Sequence, residues 1–196
     1  MTEVSPRGRP PIRTDAQILQ AALKAFATSG YEAMSVRALN ASLGLSHETI
    51  SQRFGSKQDL FFAALDHGLA DFFAGLAPYG ARSSDDSDDL GQLRQVVRGF
   101  MLVAAEQSEL GQVINREGLV ASDRLDYIVR RAIEPGTLVL ADLLRRLTER
   151  GEIRPSSVRE VFFLAQAGAT PFNAPALSQA FDRIDGPLDP DAYAER

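Results

Sequence analysis

The side chains from Ser46 to Arg53 run Ser-His-Glu-Thr-Ile-Ser-Gln-Arg. This set is rich in hydrogen-bonding groups and poor in groups arranged for bond breaking. Gln is the side chain that pairs in bidentate fashion with the major-groove edge of adenine, and Ser and Thr can reach bases or phosphates. The candidates for that work are Ser46, His47, Glu48, Thr49, Ser51, Gln52 and Arg53. Catalytic chemistry has no comparable support. His47 and His67 are the only histidines, and neither sits in a metal-ligand spacing such as H-E-x-x-H. The chain has no Cys, which excludes a disulfide scaffold, a Cys-ligated zinc and a thiol nucleophile. No catalytic residue, metal or cofactor is expected.

Two short helices would hold these side chains. Ser35 is placed to cap a helix over about 36–43, with Val36, Leu39 and Leu43 inward. Gly44-Leu45-Ser46 reads as a tight turn, and a second helix runs from His47 to Phe54. On a helical wheel, Ile50 and Phe54 face Leu39 and Leu43, while Glu48 and Gln52 point outward, flanked by Thr49 and Ser51. Residues 35–54 therefore fit a helix-turn-helix whose second helix is free for the major groove. The same pattern also fits a hairpin that joins helices for packing alone.

The helices around this pair are equally legible. Thr14-Asp15-Ala16-Gln17 matches a capping box, followed by Ile18, Ala22, Ala25 and Phe26 at helical spacing and Gly30 as a stop. Gly55 ends the third helix. Ser56 opens a fourth, with Asp59 at its third position, that carries Leu60, Phe61, Ala64, Leu65, Leu69, Phe72 and Phe73 and stops near Pro78. Arg53 and Lys57 fall at the ends of the recognition helix, where phosphates would pass.

The first 13 residues are a basic, Pro-rich arm with too little apolar surface to fold alone. Its Arg7-Gly8-Arg9-Pro10 resembles an AT-hook core, in which Arg enters the narrow minor groove of A·T-rich DNA. The net charge of -5 hides an asymmetry. Residues 1–58 carry seven basic against four acidic side chains, a net +3, which leaves -8 for the rest. A nucleic-acid-binding head on an acidic body has that distribution. No signal peptide or membrane-length apolar run is evident, so a cytoplasmic location is expected.

Ile18-Leu19, Ala25-Phe26, Gly30-Tyr31, Ser35-Val36-Arg37, Leu43-Gly44-Leu45-Ser46, Thr49-Ile50 and Phe54-Gly55-Ser56-Lys57-x-x-Leu60 together resemble the DNA-binding domain of TetR-family repressors. The resemblance covers about the first third of the chain. It implies that Ser35, Arg37 and Thr49 lie near the DNA backbone and that Lys57 is a phosphate-binding lysine. It also implies a homodimer whose body responds to a small molecule. The chain departs from the family at Ser51, where an aromatic residue is usual, and at Gln52 and Arg53, where His or Tyr is common. Arg53 can supply the backbone contact that the missing aromatic would make.

The rest of the chain reads as further helices near 109–117, 122–134, 136–150 and 157–171, punctuated by Pro135 and Gly151, then a short helix and a Pro/Asp-rich tail. The acidic run Asp85–Asp89 reads as a solvated loop. The expected fold is all-α: an arm over 1–13, a three-helix head over 14–55, and a ligand-binding and dimerisation body over 56–196. His67, Phe72, Phe100, Met101, Tyr127, Phe162 and Gln166 are candidates for a pocket holding a small apolar ligand. Leu138, Leu144, Leu147, Val161, Ala165 and Ala169 are candidates for the dimer face. Double-stranded operator DNA and a second copy of the chain are the expected partners, with no membrane. A body that binds a protein partner instead, and a helical enzyme, are the alternatives; the lack of a catalytic constellation argues against the second.

Overall fold

The computed structural model describes residues 13–80 and 88–195, and among them there are helices and connections but no strand. Arg7 and Arg9, with nearly all of the basic arm, lie outside the described residues, as do Asp85 and Asp86. The helices are α1 (Asp15–Ala33), α2 (Val36–Ser42), α3 (Thr49–Phe54), α4 (Lys57–Gly80), α5 (Asp89–Glu106) and α6 (Ser108–Glu117), then α7 (Asp123–Ile128), α8 (Glu134–Glu149), α9 (Val158–Asn173), α10 (Pro175–Gln179), α11 (Asp182–Asp185) and α12 (Pro190–Ala194). The chain forms two compact units that divide after His67.

In the first unit, the Thr14 hydroxyl accepts from the Gln17 backbone N–H and the Gln17 side chain accepts from the Thr14 N–H, the reciprocal cap that the sequence predicts. Gly30 (φ 79°) turns the chain out of the regular helix. Ile18, Ala22 and Phe26 are buried with Leu39, Ile50, Leu60, Phe61, Ala64 and Leu65. The Phe61 ring meets Phe26 and Tyr31 edge-on at centroid distances of 5.0 and 5.5 Å. These contacts explain why the head extends past residue 55. The first half of α4 buries its apolar stripe there.

The start of α4 is fixed by a local bond set. Ser56 donates its backbone N–H and hydroxyl to the Asp59 carboxylate, while the Asp59 N–H donates back to the Ser56 hydroxyl. Those bonds hold the Asp59 carboxyl below its ordinary pKa. Gly55 precedes them at φ 82°, and a Cβ there would lie 2.8 Å from the Asp59 carboxylate. Only Gly meets both demands.

In the second unit, α5 packs against α9, α8 and α12. The break expected at Pro135 is absent. A π-helical turn over Val129–Ile133 joins α7 to α8, with the Glu134 N–H donating to the Val129 carbonyl. The wider turn accommodates the proline ring and its missing donor. The Pro/Asp-rich tail also differs from expectation, because it is helical and folds back. Tyr193 of α12 meets Phe172 edge-on at 5.6 Å, and Tyr193 and Ala194 cover Met101, Ala104, Ala169 and Phe172. Over an 18-residue window α4 has a mean hydropathy of 1.4, enough by length and composition to cross a membrane. Within that helix Leu60, Phe61, Ala64, Leu65 and Leu69 are buried.

Asp89 is not part of a solvated loop. It is 4% exposed at the first residue of α5 and is clasped by two arginines from the end of α8. Arg146 donates to both carboxylate oxygens, at 2.8 and 3.0 Å, and Arg150 donates at 2.7 Å. The hydrogen bonds from Arg146 and then Arg150 drive the Asp89 pKa far below the ordinary carboxylate range, against the opposing effect of burial. A carboxyl with a depressed folded pKa stabilises above its unfolded pKa of about 4, and that stabilisation fades as pH falls below it. Asp89→Asn should therefore lower the melting temperature at pH 7, and the gap from the parent should narrow between pH 5 and about 2 in a thermal-denaturation series. A gap of constant size across that range would mean that the ion pair is not what Asp89 contributes.

Candidate functional site

The α2–turn–α3 unit is fixed by a residue that the sequence reading passed over. Asn40 is fully buried. Its Nδ2 donates to the His47 carbonyl at 3.0 Å, and its Oδ1 accepts from the Ile50 backbone N–H at 3.3 Å. Its own carbonyl accepts from the Leu45 N–H at 2.9 Å. One side chain thus ties α2 to the residues that open α3, across the turn at Gly44 (φ 69°). Ile50 fills the space beneath and is 1% exposed. The signal was present in the sequence: Val36, Leu39, Asn40 and Leu43 occupy i, i+3, i+4 and i+7, so Asn40 lies within the inward stripe.

The face held this way is polar and exposed. Ser46, His47, Glu48, Ser51, Gln52 and Arg53 are exposed, and Thr49 is half-buried. The helix is shorter than predicted. It begins at Thr49, and His47 and Glu48 belong to the turn, where Glu48 occupies the N-cap position without a side-chain cap bond. The hydroxyls of Ser46 and Thr49 are 2.7 Å apart, and Gln52 donates to Glu48 at 3.2 Å. Gln52 and Glu48 therefore satisfy one another until a stronger partner separates them.

The flanking cations are less free than the sequence implies. Arg53 forms an ion pair with Asp15 and donates to the Arg13 carbonyl at 2.8 Å. Arg13 in turn donates to the Leu43 carbonyl at 3.4 Å, so the root of the arm is tied to the end of α2 and to α3. The Lys57 ammonium lies 4.8 Å from the centre of the Tyr31 ring and donates to the Glu32 carbonyl at 3.1 Å. Ser35 caps α2 by accepting from the Ala38 N–H, and Arg37 is exposed on its first turn.

A separate cavity of about 70 Å³ lies within the second unit. Phe72, Phe100, Phe162 and Gln166, four of the predicted pocket residues, line it together with Leu69, Ile114, Ile133 and Asn173. The other three do not. Met101 packs with Ala104, Ala169 and Phe172 in the adjoining core, Tyr127 is on α7, and His67 closes the first unit. The missed lining residues come from α4, α5, α6, α9, the junction of α5 and α6 and the π turn before α8, and most of them resemble any core stripe in sequence.

The predicted dimer face needs correction as well. Leu144, Leu147 and Ala169 are buried inside the chain itself, so they are unavailable to a second copy. Val161 and Ala165 are half-buried, and Leu138 is exposed. The large apolar residues left exposed on α8 and α9 are Leu138, Val139, Phe163 and Leu164.

Residues 18–64 match the sequence model described as bacterial regulatory proteins of the tetR family. Over those residues the chain is similar to the DNA-binding domain of tetR-family regulators. The described residues form that helix-turn-helix unit and a helical body. No curated protein matches the sequence. Solved structures of similar fold include a putative fatty acid metabolism regulator of Clostridium perfringens, with TM-score 0.70 and 17% identity over 91% of this chain and 92% of that one. The fatty acid degradation regulator FadR of Bacillus halodurans superposes with TM-score 0.64 and 18% identity, over 91% and 92% of the two chains. AibR, in complex with isovaleryl coenzyme A and operator DNA, superposes with TM-score 0.65 and 18% identity over the same shares. At these identities the likeness is one of fold.

Asn40→Ala tests what holds the exposed face of α3. The substitution strands the His47 carbonyl and the Ile50 N–H in a dry site and should destabilise the head by about 1–3 kcal/mol. Urea denaturation of the full chain checks this. An unchanged midpoint would show that the turn holds without Asn40.

Proposed function

We propose that this protein is a TetR-family regulator, a dimeric, ligand-responsive repressor that reads a palindromic operator with α3 of each protomer. The observation that carries the reading is the exposed face of Ser46, Glu48, Thr49, Ser51 and Gln52, held outward by Asn40 and Ile50 beneath it. A short polar face on a rigidly braced helix suits the major groove, where side chains must approach base edges. The net +3 of residues 1–58 suits the phosphates on either side. Arg13 roots the arm beside α3, so Arg7 and Arg9 would enter the minor groove next to the major groove that α3 reads. A chromosomal target puts the protein in the cytoplasm.

The apolar cavity in the body, lined by Phe72, Phe100 and Phe162, favours a small-molecule effector over a protein partner. AibR, crystallised with an acyl coenzyme A and operator DNA, offers the analogy for an effector with an acyl part. Such a ligand releases DNA only if it binds the DNA-incompetent state better. α4 is the natural carrier of the signal. Leu60, Phe61 and Leu65 belong to the head core, and Leu69 and Phe72 of the same helix line the cavity.

The DNA reading is tested by titrating the full chain against the region upstream of its own gene over a range of salt. Binding should be sequence-dependent and weaken as salt rises. Lys57→Ala should flatten the salt slope by about 1 unit. Gln52→Ala should relax preference at one base position, at about 1–3 kcal/mol. Retention of full affinity and preference by Gln52→Ala would reject α3 as the reader.

The dimer reading points to Leu138, Val139, Phe163 and Leu164, large apolar residues that a monomer would leave in water. Phe163→Glu should give a monomer in sedimentation equilibrium at micromolar concentration, with an unchanged helical circular-dichroism spectrum and weakened operator binding. A Phe163→Glu protein that remains a dimer would move the interface elsewhere.

A further inference from the structure

Asn173, the last residue of α9, lines the cavity, and both its Nδ2 and its Oδ1 are buried without a hydrogen-bond partner. A buried amide left wholly unsatisfied costs free energy, and native proteins seldom tolerate it. On α6, a Cβ at Gly111 would lie 2.3 Å from the Asn173 Oδ1 and 2.8 Å from its Nδ2, so the amide packs directly against Gly111. The remaining polar lining is Gln107 and Gln166, both uncharged, and no Asp, Glu, Lys, Arg or His lines the cavity among the described residues. The rest of the lining is Leu, Ile, Phe, Ala and Gly.

We infer that the effector of this cavity is a short, neutral acyl compound whose head group both donates and accepts a hydrogen bond, a carboxamide, with Asn173 as its anchor. The inference rests on the ligand-gated reading above and specifies its ligand class. Asn173 Nδ2 donates to the ligand carbonyl and Oδ1 accepts from the ligand N–H, which satisfies both stranded atoms at once. An ionised carboxylate fits poorly. It offers no donor to Oδ1, and its charge would enter an apolar site without a cation to compensate it. The cavity has room for about five to seven water molecules, or an acyl chain of about five carbons. The phenyl rings of Phe72, Phe100 and Phe162 supply the contact for that chain.

The test uses the full-length protein and two probes of equal length, pentanamide and pentanoate, at pH 7.5. Binding is read by isothermal titration and by melting temperature. Pentanamide should bind at least about tenfold more tightly than pentanoate, since a site built to hydrogen-bond a group discriminates strongly against a ligand that leaves it unpaired. Asn173→Leu conserves the side-chain volume and removes the stranded amide. Without ligand it should melt no lower than the parent, and it should lose the preference for pentanamide. Equal or tighter binding of pentanoate overturns the head-group assignment and leaves ligand gating intact. A lower melting temperature for Asn173→Leu, with the amide preference kept, shows Asn173 to be structural and overturns its role as anchor. Binding of neither probe, in a protein that still binds its operator, overturns this inference and the small-molecule reading together, while the DNA-binding reading survives.

Discussion

Phe61, Leu65, Leu69 and Phe72 stand at i, i+4, i+8 and i+11 on α4, a single apolar stripe. The first two are buried in the head core and the last two line the cavity of the body. This places one element in two cores, and much else in the chain follows from it. The head cannot be cut at Gly55, because removal of α4 would take Phe61 away from Phe26 and Tyr31. A coupling between ligand and DNA needs an element whose two arrangements bind the two partners differently. The stripe on α4 makes that helix the obvious place for such a difference to reside.

Three buried polar groups show how differently such groups are handled. Asn40 is fully satisfied, and its two side-chain bonds specify the angle at which α3 leaves the turn. Asp89 is compensated by two guanidinium groups that reach across from α8, which ties the first turn of α5 to the last turn of α8. Asn173 is neither satisfied nor compensated. A satisfied network favours a unique local geometry, whereas an unsatisfied one stores a penalty that a ligand or an ordered water can relieve. The first two groups serve architecture; the third is the one with unspent hydrogen-bonding capacity.

The sequence disclosed what is local. Thr14 with Gln17 forms the capping box its spacing predicts, because the partners are three residues apart and no distant contact is needed. The exposed side of α3 was legible for the same reason, since Ile50 and Phe54 leave Glu48 and Gln52 on the opposite side. What needed the fold was non-local. The partners of Asp89 lie 57 and 61 residues away, inside a helix whose basic residues look like an ordinary solvated face. Helical periodicity identified Leu144, Leu147 and Ala169 as apolar-face residues, but a period cannot say whether the chain itself or a second copy covers that face. The tail misled for a related reason. Its short helices begin at Pro175, Asp182 and Pro190 and are too brief for periodicity to register.

The size of the cavity bears on how the regulator would work. Pockets that hold drug-sized ligands enclose about 300–1,000 Å³, and this one encloses about 70 Å³. A ligand with a bulky remainder, such as an acyl group attached to a large carrier, could not be accommodated by filling existing space. Its entry would have to displace the wall, and the wall includes Phe72 and Phe73 on α4 and Phe162 on α9. Protein interiors are close-packed, so a displaced aromatic ring moves its neighbours and is not absorbed locally. A short ligand anchored at Asn173 would instead fill the cavity and stiffen it. The two classes of ligand would therefore act on α4 in opposite senses, one by moving it and the other by holding it, although both enter the same space.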